Sequence, residues 1–311
     1  MLGALILRVL QSIGCDQCGC GLLQGVQPFD RANNFGLQWR MRYLNGDVTS
    51  PGTTLVAKHG GHVATVNPTA SYTEVFQALE LRGQFWLGQR INLTASVPMV
   101  NNYQAVDGIR HADTYALGDP MLLGRYVLSG SSNASDSLRT RHRITAGLGV
   151  KIPMGRHNVV QYGETLDHDL QPGSGTWDGL ASLEYVLRGQ RVGASFSAVG
   201  RLNGQNAEGH RMGNSTSITG EVFRIFHVQR LQVLPALGGY LEAARPDRTS
   251  DAVDEGTGGS TFFTHASTRV WWRSIGFSFT WQHAILNNEG SLMIPNRERF
   301  VAGITYNFQR V

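Results

Sequence analysis

Three cysteines stand together as Cys15-Asp16-Gln17-Cys18-Gly19-Cys20, and the chain has no others. Thiolates prefer soft cations, and a C-x2-C-x-C run over glycine can converge on one copper or zinc ion. In an exported protein the same thiols can instead oxidise in pairs and leave one over. Cys15 follows Gly14, so lipid attachment is a third use, although Ser12 stands where a leucine is usual. His59 and His62 form His-Gly-Gly-His, whose spacing on a glycine turn offers two further ligands without a third. His157 and His168 lie near Asp167 and Asp169 and read as exposed polar loop residues.

A second chemically active set recurs at alternate positions between apolar residues: Arg40, Arg42, Glu80, Arg82, Arg143, Glu184, Glu221, Arg269 and Arg299. Gathered in one interior, such mixed charges would pair across it. They would either line a narrow aqueous constriction or simply fill the space.

Hydrolytic chemistry finds little support. There is no G-x-S-x-G elbow. His265 and Ser267 share one strand face and His142 lies elsewhere, but no third residue completes a motif. A P-loop, a dinucleotide fingerprint and H-E-x-x-H are all missing. No catalytic residue is predicted, and the sequence reads as a non-enzyme.

The elements that must position the charges follow from alternation. Phe35, Leu37, Trp39, Met41 and Tyr43 are apolar or aromatic, and Gly36, Gln38, Arg40 and Arg42 lie between them. Strands are predicted at about 35–44, 72–87, 90–99, 116–128, 139–152 and 176–188. Six more follow at about 191–202, 212–226, 229–243, 260–273, 275–286 and 297–308. Gln77 and Arg224 interrupt the apolar face of their strands. Aromatic residues gather near strand ends, among them Trp39, Trp86, Trp271, Trp272 and Trp281, as interfacial girdles do.

Connection lengths sort by parity. Tight turns are predicted at Gly88-Gln89, Gly189-Gln190, His227-Val228 and Ser274, with a somewhat longer one near Ser129–Leu138. Long loops fall on the other side, the largest at 45–71, 153–175 and 244–259. Short periplasmic turns and long extracellular loops mark a transmembrane antiparallel up-and-down β-barrel, here of about 12 strands. A soluble sandwich gives no reason for that sorting.

Composition agrees. Hydrophobic residues make up 41% and mean hydropathy is −0.18. No run of about 18 apolar residues follows the first dozen, so no spanning helix is expected. Lumen-facing polar residues dilute the hydropathy of a barrel. The net charge is +4 and nearly all cations are arginine, Lys58 and Lys151 being the exceptions. Their scatter, about one per strand, argues against a nucleic-acid partner. Leu2–Leu10 resembles an export signal, atypical because no basic residue precedes it and Arg8 interrupts it. The expected organisation is a signal peptide at 1–14, a Cys-containing periplasmic or plug segment at 15–34, and the barrel at 35–311.

Three segments carry a resemblance. Gly118–Tyr126 reads GDPMLLGRY, Gly147–Gly155 reads GLGVKIPMG, and Leu170–Tyr185 reads LQPGSGTWDGLASLEY. In this order they resemble the bacterial outer-membrane barrels described as transporters of the meta-pathway of phenol degradation, distant relatives of the long-chain fatty-acid channels. The resemblance covers about a quarter of the chain. Physically, Pro153 and Gly155 would end a strand, and Pro172, Gly173 and Gly175 would turn the chain back. The resemblance implies a Gram-negative outer-membrane channel for small hydrophobic or aromatic solutes. Its expected partners are outer-membrane lipid and, through an insertion signal at Tyr306 and Phe308, the barrel-assembly machinery. Apolar loop residues Leu55, Val56, Val63, Val66, Val159 and Val160 could gather the solute. Metal handling through Cys15, Cys18 and Cys20, and a structural barrel with a blocked lumen, stand as the alternatives.

Overall fold

A computed structural model describes residues 32–49, 53–56, 63–66, 69–130, 140–161, 163–250 and 252–310. Cys15, Cys18, Cys20, His59 and His62 lie outside them, as do residues 1–31 with the expected signal peptide.

Alternation over long β-rich segments produces strands in pairs. They are β1 Ala32–Thr49, β2 Thr69–Leu87, β3 Ile91–Val106, β4 Met121–Gly130, β5 Arg141–Lys151 and β6 Asp178–Arg188. Then come β7 Val192–Leu202, β8 Ser215–Arg224, β9 Leu231–Ala244, β10 Gly259–Trp272, β11 Ile275–Glu289 and β12 Asn296–Arg310. Each pairs antiparallel with the next in sequence, and β12 returns to β1 in a register from Ala32↔Arg310 to Leu44↔Asn296. The sheet is therefore a closed 12-strand barrel. Closure pairs the twelve strands with one another all the way round, which is what a hydrocarbon surrounding demands.

The outside is oily. Phe35, Leu81, Leu87, Met99, Phe277, Ile304 and Phe308 are all exposed, Met99 to 59% and Ile304 to 45%. So large an apolar surface on a closed barrel needs a cover. The belt runs over Leu79–Leu87, Ile91–Met99 and Phe300–Phe308, matching the about 9–11 residues a tilted strand needs to cross hydrocarbon. Above it comes a polar line. Trp39 Nε1 donates to Gln77 Oε1 (3.2 Å), and Gln77 Nε2 donates to Asn101 Oδ1 (3.4 Å). Trp281 Nε1 donates to Glu298 Oε2 (2.7 Å), whose other oxygen lies 2.6 Å from His283 Nδ1. Gln77, an interruption in the sequence pattern, thus marks the membrane boundary. Charged interior, oily belt and closure together define an outer-membrane barrel.

Some expectations need correction. β1 begins at Ala32, not Phe35, and runs on to Thr49. The fourth strand does not start at 116. Ile109–Leu117 is a separate strand that folds back on the upper half of β3, and β4 begins only at Met121. The cause is the Asp107-Gly108 turn, with φ of 49° and 78°, an Asp-Gly hairpin turn of the type with both central residues left-handed. The turn expected at His227-Val228 lies at Gln229-Arg230, because Phe226–Val228 continues the hairpin against β9. Trp86 and Trp271 point into the barrel rather than joining the outer girdle.

Candidate functional site

The inward phase of the strands brings Arg40, Arg42, Glu80, Arg82, Arg143, Glu184, Glu221, Arg269 and Arg299 onto the lumen wall. Glu80 takes Arg40 Nε at 2.6 Å, Arg82 Nε at 3.4 Å and a hydrogen bond from Ser96 Oγ at 3.1 Å. Glu184 is bridged by Arg125 and Arg143, both at 3.2 Å. Glu221 holds Arg269 at 2.9 Å and receives Ser195 Oγ at 3.0 Å. Arg42 and Arg299 meet on Glu242, at 3.5 and 2.8 Å. The Arg299 guanidinium also lies 4.7 Å from the centre of the Tyr240 ring.

Arg125 and Glu242 belong to this network and were not singled out from the sequence. Both sit in the same inward phase as their neighbours, Arg125 between Leu123 and Val127, so alternation carried the signal. His265 and Ser267, weighed as a hydrolytic pair, both turn to Glu221: His265 Nε2 lies at 3.3 Å and Ser267 Oγ donates at 3.4 Å. Each holds a carboxylate, and neither hydrogen-bonds the other.

Two chambers remain between these side chains. The larger, about 120 Å³, is bordered by Tyr240 and Trp271, the hydroxyls of Ser195, Ser197, Thr219 and Thr280, and the charged Glu221, Arg269 and Arg40. The smaller, about 60 Å³, lies among Phe76, Val100, Asn102, Gln171 and Pro172. Arg40, Arg299 and Val301 border both, so these side chains stand between the two.

Toward the short-turn end the lumen becomes apolar on one side. Val186, Phe223, Ile225, Leu234, Ala236 and Trp271 pack there as one buried cluster. At the opposite mouth the β5–β6 loop folds inward. Asn102 Nδ2 donates to the carbonyls of Leu170 (3.1 Å) and Gln171 (3.3 Å). Leu166 and Leu170 pack on Ala112 with Val159 against them, while Val160 stays exposed. His168 is not an exposed loop residue. Its ring stacks on that of His210 at 3.5 Å between centroids and 9° between planes.

The three resembling segments converge. Lys151 Nζ lies 2.8 Å from both Asp119 Oδ2 and Asp178 Oδ2. Asp119 also accepts from the backbone of Gly155 (2.8 Å) and Ser174 (2.9 Å). Asp178 accepts from Arg201 Nε at 2.9 Å, and Thr176 Oγ1 donates to it at 2.7 Å. A Cβ on Gly155 would stand 2.7 Å from Gly173 Cα, so the two loop arms touch backbone to backbone. This buried knot ties β4, β5, β6 and β7 at the mouth. Spacing alone could not show it, because its members come from separate chain segments.

Among the described residues no group of three or more His, Cys, Asp and Glu side chains is placed to hold a metal ion.

No family model and no curated protein matches the chain. Among solved structures it is similar to an outer-membrane channel from Pseudomonas putida F1, with a TM-score of 0.60 and 13% identity over 92% of this chain and 99% of that one. It is also similar to the β domain of the Bordetella autotransporter BrkA, with a TM-score of 0.46 and 13% identity over 90% of this chain and 100% of that one. At such identities the likeness is one of fold.

Proposed function

We propose that this barrel is a passive outer-membrane channel for small hydrophobic molecules, aromatic ones in particular. The observation that carries this reading is the pair of chambers along the lumen, where the side chains of Arg40, Arg299 and Val301 border both. Side-chain partitions on a rigid wall can yield to a small solute without breaking any strand pairing. The larger chamber offers ring faces at Tyr240 and Trp271 beside hydroxyl and guanidinium donors. That mixture suits a planar ring bearing one polar group. The motif resemblance at Gly118–Tyr126, Gly147–Gly155 and Leu170–Tyr185 points the same way, toward phenol-related compounds. The likeness to a Pseudomonas channel agrees with a channel of some kind.

Planar-bilayer recording with liposome uptake tests it. A channel gives discrete conductance, and uptake of phenol-sized aromatic solutes exceeds that of sugars of similar mass. A barrel that passes neither ions nor aromatics refutes the proposal. That outcome would favour a structural barrel with a filled lumen, a reading supported by the Arg125–Glu184–Arg143 bridge and by the loop lodged in the mouth. Metal handling at Cys15, Cys18 and Cys20 rests on the sequence alone. Metal analysis of the purified protein against Cys18→Ser decides it, and equal, trace copper and zinc in both would end it.

A further inference from the structure

The two rims of the barrel differ in charge. At the short-turn rim Arg90, Arg141, Arg191, Arg224, Arg230 and Arg273 are all exposed. Among the described residues no Asp or Glu lies in those turns. The nearest carboxylates, Glu184 and Glu221, face the lumen and are held by Arg125, Arg143 and Arg269. The long-loop rim mixes the signs: Asp107, Glu208 and Glu255 are exposed there, and so are Arg110, Arg156 and Arg248.

Three of the rim arginines are fixed on the lipid side. Arg224 lies over the Phe226 ring at 5.0 Å, and Arg273 over the Trp272 ring at 5.5 Å. Arg90 Nη1 donates to Tyr126 Oη at 3.2 Å. Phe226, Trp272 and Tyr126 are themselves exposed, at the lower edge of the oily belt. Exposed aromatic rings of this kind settle at headgroup level. An arginine stacked on such a ring keeps its charge at the same depth, with its stem along apolar surface. A guanidinium presents parallel N–H groups that fit a phosphate in two-point contact.

We infer that the short-turn rim is a collar that binds anionic glycerophospholipid headgroups, phosphatidylglycerol being the simplest example. The positive charge of the described rim draws anionic lipid to the wall, and the arginines seated at its aromatic residues hold the phosphate at the edge of the belt. An acidic protein would need charge directed into the aqueous space below the turns, whereas Arg224 and Arg273 lie over lipid-facing rings and Arg90 is held by the hydroxyl of a third. The collar requires the barrel to sit in a bilayer and does not depend on what crosses the lumen.

The full chain, reconstituted in phosphatidylcholine vesicles with trace spin-labelled phosphatidylglycerol or phosphatidylcholine, tests the collar. The immobilised share of each label reports which lipid the wall retains. Phosphatidylglycerol is expected to be favoured about threefold at low salt, because each nearby cation adds to the attraction. That preference should fall close to parity at about 1 M salt, where screening acts within about 3 Å. Combined Arg90→Gln, Arg224→Gln and Arg273→Gln should bring it near parity at low salt, while the three Lys replacements should retain most of it. Parity in the unaltered protein overturns the inference. So does a preference that survives high salt, or one that survives the triple Gln change. If the triple variant does not fold, the salt series on the unaltered protein still decides. Binding of soluble polyglutamate without lipid selectivity would instead assign the rim to an acidic polypeptide.

Discussion

Lys151 Nζ stands 2.8 Å from Asp178 Oδ2 across adjacent strands, and the same nitrogen reaches Asp119 at 2.8 Å. One buried cation thus serves two buried carboxylates, with Arg201 completing the set on Asp178. Removing one partner of a buried ionic group leaves charge without compensation, at a cost of about 3–5 kcal/mol. Lys151→Met should lower the unfolding free energy of the refolded barrel by that order, measured by urea titration in lipid. A loss below about 1 kcal/mol, the scale of an exposed pair, would show that the knot does not stabilise the mouth.

The belt makes a depth-dependent prediction. Ile304 faces outward at mid-belt on β12, and His283 stands at the polar line on β11. An arginine on the lipid face costs about 2–4 kcal/mol at the bilayer midplane and about 0–1 near the interface. Ile304→Arg should therefore destabilise far more than His283→Arg in the same titration. Equal penalties would mean that the belt is misplaced along the strands.

Arg40 and Arg299 border both chambers, and each holds its own carboxylate, Glu80 or Glu242. Trimming both to alanine should merge the chambers and raise single-channel conductance at least about twofold, if charge at the constriction limits flow. Arg110, exposed outside the wall, should leave conductance unchanged on the same substitution. No rise in the double variant would place the limiting constriction elsewhere, with the apolar cluster around Phe223 and Leu234 the next segment to open.

The stacked pair at the mouth predicts a response to acid. Burial first, and then the neighbouring His168 ring, bring His210 down from 6.5 to about 4. Burial also lowers His168, against the pull of Asp167 and Glu208. Asp254 and the partly buried Asp247 face His210 without reversing the drop. The folded loop therefore favours neutral rings. The stack should be fully in place above pH 6.5 and should loosen as pH falls from 6.5 through about 4. Hydrogen-exchange protection of residues 166–171, corrected for intrinsic rates, should decline over that interval. His210→Phe keeps a stacking ring and removes the larger of the two shifts, so its protection should decline less over that interval. A decline as steep in His210→Phe as in the unaltered chain would clear His210 of the effect.

The barrel was legible because a lumen and a bilayer impose opposite demands on neighbouring positions. Phe35 to Tyr43 and Phe300 to Phe308 show that contrast residue by residue, and the inward charges followed from the same phase. The return strand Ile109–Leu117 escaped because it continues the wall without lengthening the barrel, although Asp107-Gly108 marked its turn. Residue type alone puts Trp86 and Trp271 in the outer girdle, whereas their phase sends them inward. Arg224 broke the apolar pattern because it lies at the rim, where Phe226 gives it a ring to rest on. The knot of Asp119, Lys151 and Asp178 was hidden for another reason. Its residues are remote in the chain, and only the packing of Gly155 against Gly173 makes them neighbours.

The seam between β1 and β12 has a consequence for biogenesis. Phe35 finds Tyr306 and Trp39 finds Ala302 only after every other strand of the barrel has been made. Until then the nascent ribbon carries two unsatisfied borders, neither of which hydrocarbon can solvate. Closure must therefore wait for the β11–β12 hairpin, which supplies the partner that seals the cylinder. Shortening that hairpin should strand the whole protein outside the bilayer rather than produce a smaller pore.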